Sequence, residues 1–103
     1  MAKISRVTLF KLEDPEAIEG AIQKYSTLTQ DAKKDGKTYI QLASAAKTFE
    51  DPRSQGYTLL VRTVFLSKQD MDFYDSEDEA HKAIKAFLKP RAAGPPLVVY
   101  AEV

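Results

Sequence analysis

Hydrophobic residues along this chain follow two different spacings, and these spacings predict its elements. Residues 56–66 are rich in β-branched and aromatic side chains, which predicts a central strand. Successive residues of a strand point to opposite faces. One face would carry Tyr57, Leu59, Val61, Thr63 and Phe65, and the other Thr58, Leu60, Arg62, Val64 and Leu66. Because neither face is polar, we expect both sides of this sheet to be covered.

Residues 4–12, 37–47 and 97–103 are predicted as three further strands. A helix is expected to begin at Asp14 and Pro15, to carry apolar residues at spacings of three and four, and to close at Gly36. Two linked helical segments should follow residue 66. Their predicted caps are Ser67 and Ser76, each followed three residues later by an acidic residue.

The resulting order is strand, helix, strand, strand, helix, strand. This order predicts an α+β fold of the ferredoxin-like βαββαβ kind, with a four-stranded antiparallel sheet and both helices on one face. The other face would then expose Leu60, Val64 and Leu66, with Arg62 in an ion pair between subunits or across strands. We therefore expect a homodimer in which two sheets pack face to face as an α+β barrel.

Composition narrows the classes of function. The 103 residues suit a single domain, 1–103. The 15 basic and 15 acidic side chains cancel, which argues against a nucleic-acid partner. Without cysteine the chain has neither disulfides nor thiolate chemistry. No apolar run suggests a membrane span or a signal peptide, so the expected location is cytoplasmic, with no membrane partner.

Several short segments together resemble a known family. They are Arg-Val-Thr-Leu-Phe-Lys at 6–11, Lys-Asp-Gly-Lys-Thr-Tyr-Ile at 34–40, Gln-Gly-Tyr-Thr at 55–58, Asp-Met-Asp-Phe-Tyr-Asp at 70–75 and Glu-Ala-His-Lys at 79–82. With them the chain resembles the stress-responsive dimeric A/B barrel (Dabb) proteins, especially small fungal single-domain members. The resemblance implies a dimeric barrel. The family includes proteins known mainly as stress-associated and a few enzymes, such as plant polyketide cyclases, with a pocket between sheet and helices.

The chain departs from that family pattern in two places. Arg6 stands where the family commonly has a histidine on the first strand. The spacing from Tyr74 to His81 is one residue longer than in the cyclase-like members. Both departures bear on whether a catalytic tyrosine–histidine arrangement transfers to this chain.

His81 is the single histidine, and its ordinary pKa lies near neutrality. Its spacing to Ile84 and Leu88 places it at the edge of the apolar side of its helix. There it could act as a general base, with the hydroxyl of Tyr74 orienting a carbonyl. The structural alternative is a histidine at a helix boundary that satisfies a loop carbonyl.

Arg6 shares a face of the first strand with Thr8 and Phe10, and the resemblance implies that this face lines the pocket. A buried arginine needs a partner, because a lone buried guanidinium is strongly unfavourable. It could clamp a ligand carboxylate, or pair with one of three acidic side chains, Asp70, Asp72 and Asp75. The expected ligand-binding residues are Arg6, Thr8, Phe10, Tyr25, Tyr57 and Val61.

No cofactor motif is present, and the acidic residues at 75–79 lack the spacing of a calcium loop, so neither cofactor nor metal is expected. Three functions remain as hypotheses. The first is a stress-associated homodimer that binds a small apolar or aromatic ligand. The second is a cyclase- or isomerase-like enzyme with His81 as base. The third, a cofactor-free oxygenase, rests on fold analogy alone.

Overall fold

The chain folds into one four-stranded antiparallel sheet with its helices. The computed structural model describes residues 2–103. In chain order the elements are β1 (Ile4–Phe10), α1 (Pro15–Ser26), α2 (Leu28–Asp31), β2 (Ile40–Lys47), a 3-10 turn (Pro52–Ser54), β3 (Leu59–Phe65), α3 (Lys68–Ser76), α4 (Glu79–Leu88) and β4 (Leu97–Glu102). The strand order is β2-β3-β1-β4, and each neighbouring pair is antiparallel. The predicted ferredoxin-like fold is confirmed.

The two central strands bury one face each, as their alternation predicts. In β1, Ile4, Arg6, Thr8 and Phe10 are buried, and the residues between them are half-buried. In β3 the corresponding residues are Leu59, Val61, Thr63 and Phe65, and all four are at most 2% exposed. The core therefore lies between this face of the sheet and the apolar sides of the helices. The helices contribute Ile18, Ala21, Tyr25, Leu28, Met71, Tyr74, Ile84 and Leu88 to it.

The first helix ends earlier than predicted. α1 stops at Ser26, a short α2 ends at Asp31, and Gly36 is not the closing residue of the helix. Gly36 lies instead in a two-residue turn with Asp35, in which Lys34 and Lys37 exchange backbone hydrogen bonds. Both turn residues have positive φ, 53° and 76°, which fits a glycine in such a turn. The second strand consequently begins at Ile40 rather than at residue 37.

Two of the three predicted helix caps are correct. Asp14 caps α1, where its Oδ1 accepts a hydrogen bond from the Glu16 amide. Ser67 accepts a hydrogen bond from the Asp70 amide at the start of α3. The predicted cap at Ser76 is wrong, because α3 continues through Ser76 and its hydroxyl donates back to the Asp72 carbonyl at 2.8 Å. Asp78 caps α4, and its Oδ1 lies 2.8 Å from the amide nitrogen of His81.

The outer face of the sheet carries exposed apolar side chains. Leu60 and Leu66 are 38% and 42% exposed, and on β4 Leu97 and Val99 are 44% and 54% exposed. The prediction that Val64 would also be exposed is wrong, since only 8% of it is. Val64 lies on the inner strand β3, with Ser5 of β1 and Leu42 of β2 as its neighbours on the two sides.

Candidate functional site

The floor of the candidate site is the buried face of the two central strands. The strand register sets Arg6 opposite Thr63 and Thr8 opposite Val61. All four side chains are buried, although three of them are polar. Buried polar groups normally have hydrogen-bond partners. We therefore expect partners for these three side chains within the protein or in a bound molecule.

A cavity of about 90 Å³ lies above this floor. Its volume equals that of roughly three water molecules in the liquid, and it is far smaller than the roughly 300 Å³ or more of pockets for drug-sized ligands. A wider apolar groove of about 480 Å³ shares Phe10, Lys85 and Pro96 with it. The cavity is lined by Arg6, Thr8, Phe10, Tyr25, Val61, Thr63, Tyr74, Asp75, His81, Lys85, Pro96 and Val98.

Arg6 forms an ion pair with Asp75 at the end of α3. Its Nη1 lies 2.7 Å from both carboxylate oxygens of Asp75. The Arg6 side chain is 8% exposed and that of Asp75 is 45% exposed, so the pair runs from the cavity to the surface. The Nε of Arg6 also donates a long hydrogen bond, 3.4 Å, to the hydroxyl of Thr8. Of the three acidic partners considered from the sequence, Asp75 is the one used.

Tyr74 and His81 come from successive helices, α3 and α4, which are joined by a tight connection at Asp78. His81 Nδ1 lies 2.9 Å from the backbone carbonyl oxygen of Tyr74. A carbonyl only accepts, so Nδ1 carries the proton and Nε2 is left as an acceptor. The two rings are also stacked, with centroids 3.6 Å apart and planes at 6°. His81 thus satisfies a carbonyl, here that of a residue in α3 and not in a loop, and its side chain also lines the cavity.

Burial sets the protonation of these groups. It lowers the pKa of His81 to about 4, and the positive charges of Lys85 and Arg6 act in the same direction. The imidazole is therefore neutral at pH 7. Burial raises the pKa of Tyr74 and of Tyr25 well above the ordinary value for a phenol. Both phenols stay protonated near neutrality and can donate hydrogen bonds.

Several hydroxyl groups at the cavity lack hydrogen-bond partners within residues 2–103. The Oγ1 of Thr63 is buried and unpartnered. The hydroxyls of Tyr25 and Tyr74 likewise make no hydrogen bond to the described part of the chain, whereas the Tyr39 hydroxyl, outside the cavity, donates to Asp78 at 2.5 Å. The cavity thus collects polar groups that its own walls do not satisfy.

The structure brings together most of the site residues expected from the sequence. Five of the six predicted ligand-binding residues line the cavity, together with the predicted Tyr74 and His81. Tyr57 does not. It lies in a separate surface groove formed by the β2–β3 connection, where Lys11 Nζ is 4.9 Å from its ring centroid. Because β3 begins at Leu59, Tyr57 precedes the strand and does not follow its alternation.

Three residues of the site were not singled out in the sequence. The sequence predicted the correct face of the strand for Thr63. A hydroxyl among apolar residues on that face could have marked it as a site residue. Lys85 lies four residues after His81, the spacing of neighbours on one side of a helix, and its Nζ donates to the Asp75 carbonyl at 2.9 Å. Asp78 is 1% exposed and fixes the start of α4. In the sequence, Asp78 is one of several acidic residues at the start of a helix, and nothing distinguishes it from the others.

Within residues 2–103, no three His, Asp or Glu side chains converge in a way that could hold a metal ion. The acidic residues at 75–79 have structural roles instead. Asp75 pairs with Arg6, and Asp78 caps α4. None of the helices in this part of the chain combines the length and the apolar character needed to cross a bilayer.

The fold is shared with solved structures of low sequence identity. A dimeric protein of unknown function with a ferredoxin-like fold from Bacteroides fragilis matches with a TM-score of 0.80 and 15% identity, over 98% of this chain and 96% of that one. A hydroxynitrile lyase from Passiflora edulis matches with a TM-score of 0.74 and 13% identity, over 98% of this chain and 93% of that one. At these identities the likeness concerns the fold alone.

Sequence comparison identifies the family. A protein of Gibberella zeae described as a fusaristatin A biosynthesis cluster protein is 30% identical over 105 residues, which cover 89% of this chain and 76% of the relative. The family model described as the stress responsive A/B barrel domain matches residues 4–98. That match spans β1 through the first part of β4 and includes every residue that lines the cavity. The chain therefore belongs to the stress-responsive A/B barrel domain family.

Proposed function

We propose that this chain binds a small molecule in the cavity between its sheet and its helices. The observation that carries this proposal is the buried, unpartnered hydroxyl of Thr63 at the cavity. The phenols of Tyr25 and Tyr74 line the same cavity and can donate hydrogen bonds to a ligand. Leaving a buried polar group without a partner costs about 1–3 kcal/mol. A ligand with donors and acceptors of its own would supply that partner. Water would do so as well, and the experiment below separates the two.

The lining favours a small polar ligand over the apolar or aromatic one expected from the sequence. Phe10, Val61 and Val98 supply apolar wall, but the floor and the helix side present Arg6, Thr8, Thr63 and His81. The volume of about 90 Å³ does not accommodate an aromatic polyketide in this conformation. A molecule with few carbon atoms and several polar groups fits both size and chemistry.

A second candidate function is cofactor-free proton transfer, favoured by the orientation of His81. Its Nδ1–H is held by the Tyr74 carbonyl, so Nε2 carries the lone pair of the neutral ring, and His81 lines the cavity. Nε2 would accept a proton from a carbon next to a carbonyl. The C–H electron pair would form the C=C bond of the enolate, and the π pair of the carbonyl would move onto its oxygen. The protonated Tyr74 hydroxyl would donate a hydrogen bond to that oxygen. Return of the proton to the same or another carbon completes exchange or isomerisation.

The Gibberella zeae relative supports a small-molecule ligand. It is described as a fusaristatin A biosynthesis cluster protein, and it is 30% identical to this chain. That description fixes no substrate for this chain, but it favours a small metabolite over a macromolecule as the occupant of the cavity.

We also infer that two copies pair through the outer face of the sheet. Leu60 and Leu66 are exposed there beside Leu97 and Val99, an apolar surface of the kind that marks an interface. The Bacteroides fragilis protein of the same fold is described as dimeric, which supports self-association. Arg62, on the same face, would lie within or beside this interface.

The test uses hydroxyacetone, a small ketone of suitable size, in two measurements. Titration followed by amide NMR should shift resonances of Arg6, Thr8, Thr63 and His81, and an unchanged spectrum would contradict binding in the cavity. Deuterium incorporation from D₂O into hydroxyacetone should be faster with the protein than without it. His81→Gln should abolish this acceleration, and Ala83→Gln, elsewhere on α4, should not. If wild type and His81→Gln accelerate deuterium incorporation equally, proton transfer by His81 is excluded and small-molecule binding remains.

A further inference from the structure

We propose that the cavity selects small carboxylates, which it holds through Arg6 and Thr63. This inference rests on the proposed function, since it names the class of ligand that the cavity binds. Arg6 lies on β1, at the position where the family resemblance would place a histidine. The two residues face each other across the β1–β3 ladder, and both line the cavity.

Arg6 has hydrogen-bond donors to spare. The guanidinium has five N–H groups. Nη1 is bound to Asp75 and Nε to Thr8, whereas Nη2 has no partner within the described residues 2–103. The ion pair with Asp75 holds the guanidinium in place beside the cavity, so Nη2 is positioned without further ordering. Arginine donors match the oxygens of a carboxylate, and such charge-assisted bonds are roughly twice as strong as neutral ones.

Thr63, which lies opposite Arg6 across the β1–β3 ladder, provides a second donor. Its side chain is 1% exposed, and its Oγ1 is the one buried side-chain oxygen or nitrogen within residues 2–103 that lacks a partner. A hydroxyl donates one hydrogen bond, and a carboxylate oxygen accepts it. One oxygen of a ligand would therefore bind Arg6 Nη2 and the other the Thr63 hydroxyl. A valine at this position would have filled the same volume without leaving a polar atom unsatisfied.

The charges around the cavity agree with an anionic ligand. Arg6 and Lys85 bring two positive charges to the lining, and Asp75 brings one negative charge. Asp75 is already bound on both oxygens by Arg6 and lies half exposed at the outer end of the pair. His81, tied to the Tyr74 carbonyl, adds no charge at pH 7. The inner part of the cavity therefore faces positive charge and neutral donors.

Cavity volume limits the length of the acid. About 90 Å³ holds a short acid of the size of acetate, glycolate or pyruvate. A longer acid would have to continue past Phe10 and Pro96 into the adjoining apolar groove. The inference therefore concerns the carboxylate end of the ligand, which the two donors hold.

The experiment compares acetate with acetamide, which has the same shape and no charge. Each is titrated into the wild-type protein at constant ionic strength and pH 7.5, with affinity read from amide chemical shifts of residues lining the cavity. Acetate should bind roughly tenfold or more tightly than acetamide, as expected for one charge-assisted hydrogen bond.

Arg6→Lys should reduce the affinity for acetate by roughly tenfold, and Thr63→Val by roughly threefold to tenfold. Arg53→Lys, a control at an exposed arginine outside the cavity and the proposed dimer contact, should leave it unchanged.

The outcomes separate this inference from the proposed function. If acetamide binds as well as acetate, the cavity binds small molecules but the selection of carboxylates is wrong. If neither binds but hydroxyacetone does, the selection of carboxylates is overturned and the proposed function stands. If none of the three binds, both proposals are overturned. Thr63→Val preserves shape and the Arg6–Asp75 pair, so it tests the site even if Arg6→Lys disturbs the fold. Unchanged acetate affinity in Thr63→Val would remove Thr63 from the proposed site.

Discussion

The imidazole of His81 lies parallel to the phenol of Tyr74, with ring centroids 3.6 Å apart and His81 Nδ1 2.9 Å from the Tyr74 carbonyl oxygen. His81 follows Tyr74 by seven positions, and the Asp78 cap begins α4 between them. The stack and the hydrogen bond together fix the ring plane and the tautomer of His81. The orientation of Nε2 is therefore a property of the folded backbone, present before any ligand binds.

Stability should fall with acid because of His81. The pKa of His81 is near 6.5 in the unfolded chain and about 4 in the folded chain. Burial, with the charges of Lys85 and Arg6, disfavours the imidazolium more than the Tyr74 carbonyl and Asp75 favour it. The unfolded state therefore takes up the proton first, and the contribution is present above pH 6.5 and is lost as pH falls toward 4. Between pH 7.5 and 5.5 the wild type should lose about 1 kcal/mol more unfolding free energy than His81→Gln. Urea denaturation at both pH values measures this, and parallel losses in the two proteins would contradict it.

Thr63→Val should stabilise the protein in the absence of ligand. The substitution keeps the branched shape and removes the unpartnered buried hydroxyl. The expected gain in unfolding free energy is about 1 kcal/mol. Thr38→Val, at an exposed position, is the control, and it should change the free energy of unfolding by less than about 0.5 kcal/mol. A clear loss of stability in Thr63→Val would mean that the hydroxyl has a partner, such as an ordered water.

Asp75→Asn should destabilise the protein moderately by leaving Arg6 without its counter-charge. Removing one partner of a fully buried pair costs about 3–5 kcal/mol, but Asp75 is 45% exposed and solvent screens the pair. We expect a loss of about 1 kcal/mol in chemical denaturation at pH 7. Asp72→Asn is the matched control on the same helix, because its pair with Lys68 is exposed on both sides. An effect of equal size in both variants would contradict a special role for the Arg6 pair.

Asp75→Asn should also tighten binding of acetate several-fold if Arg6 holds the carboxylate. The substitution removes the negative charge that shares the guanidinium with the ligand. The same NMR titration measures it, with Asp72→Asn again as control. Weaker binding in Asp75→Asn would show that the position of Arg6, held by Asp75, outweighs the relief of charge.

Leu60→Glu should shift the protein toward a single subunit. It places a charge in the middle of the exposed apolar face that we assign to the dimer contact, where Leu60 is 38% exposed. Sedimentation velocity across a concentration series should show dimers for the wild type and for Ala83→Glu, an exposed control position on α4. A wild type that stays monomeric at micromolar concentration, or a Leu60→Glu variant that stays dimeric, would contradict the assignment.

The sequence by itself determined the order of elements and the face on which most residues lie. Alternation in residues 4–10 and 59–65 is a local property, because a strand turns each successive side chain to the opposite face. It placed Arg6, Thr8 and Phe10 on one face of the first strand and Val61 on one face of the central strand, and the family resemblance implied that the face with Arg6 looks toward the helices. The structure buries all four there. Alternation failed at Tyr57, where the strand has not yet begun. It also failed at Val64, whose burial depends on the neighbouring strands.

Tertiary structure alone decided which of these residues meet. Arg6 had three acidic candidates, and the end of α3 selects Asp75. The cap at Asp78 rather than Ser76 sets where α4 begins, and with it the stack of His81 on Tyr74. Spacing along the chain gives the direction of a side chain, whereas a contact depends on strand register and on the path of each connection. For this reason the face of each strand could be read from residue types, and the cavity with its unsatisfied hydroxyls could not.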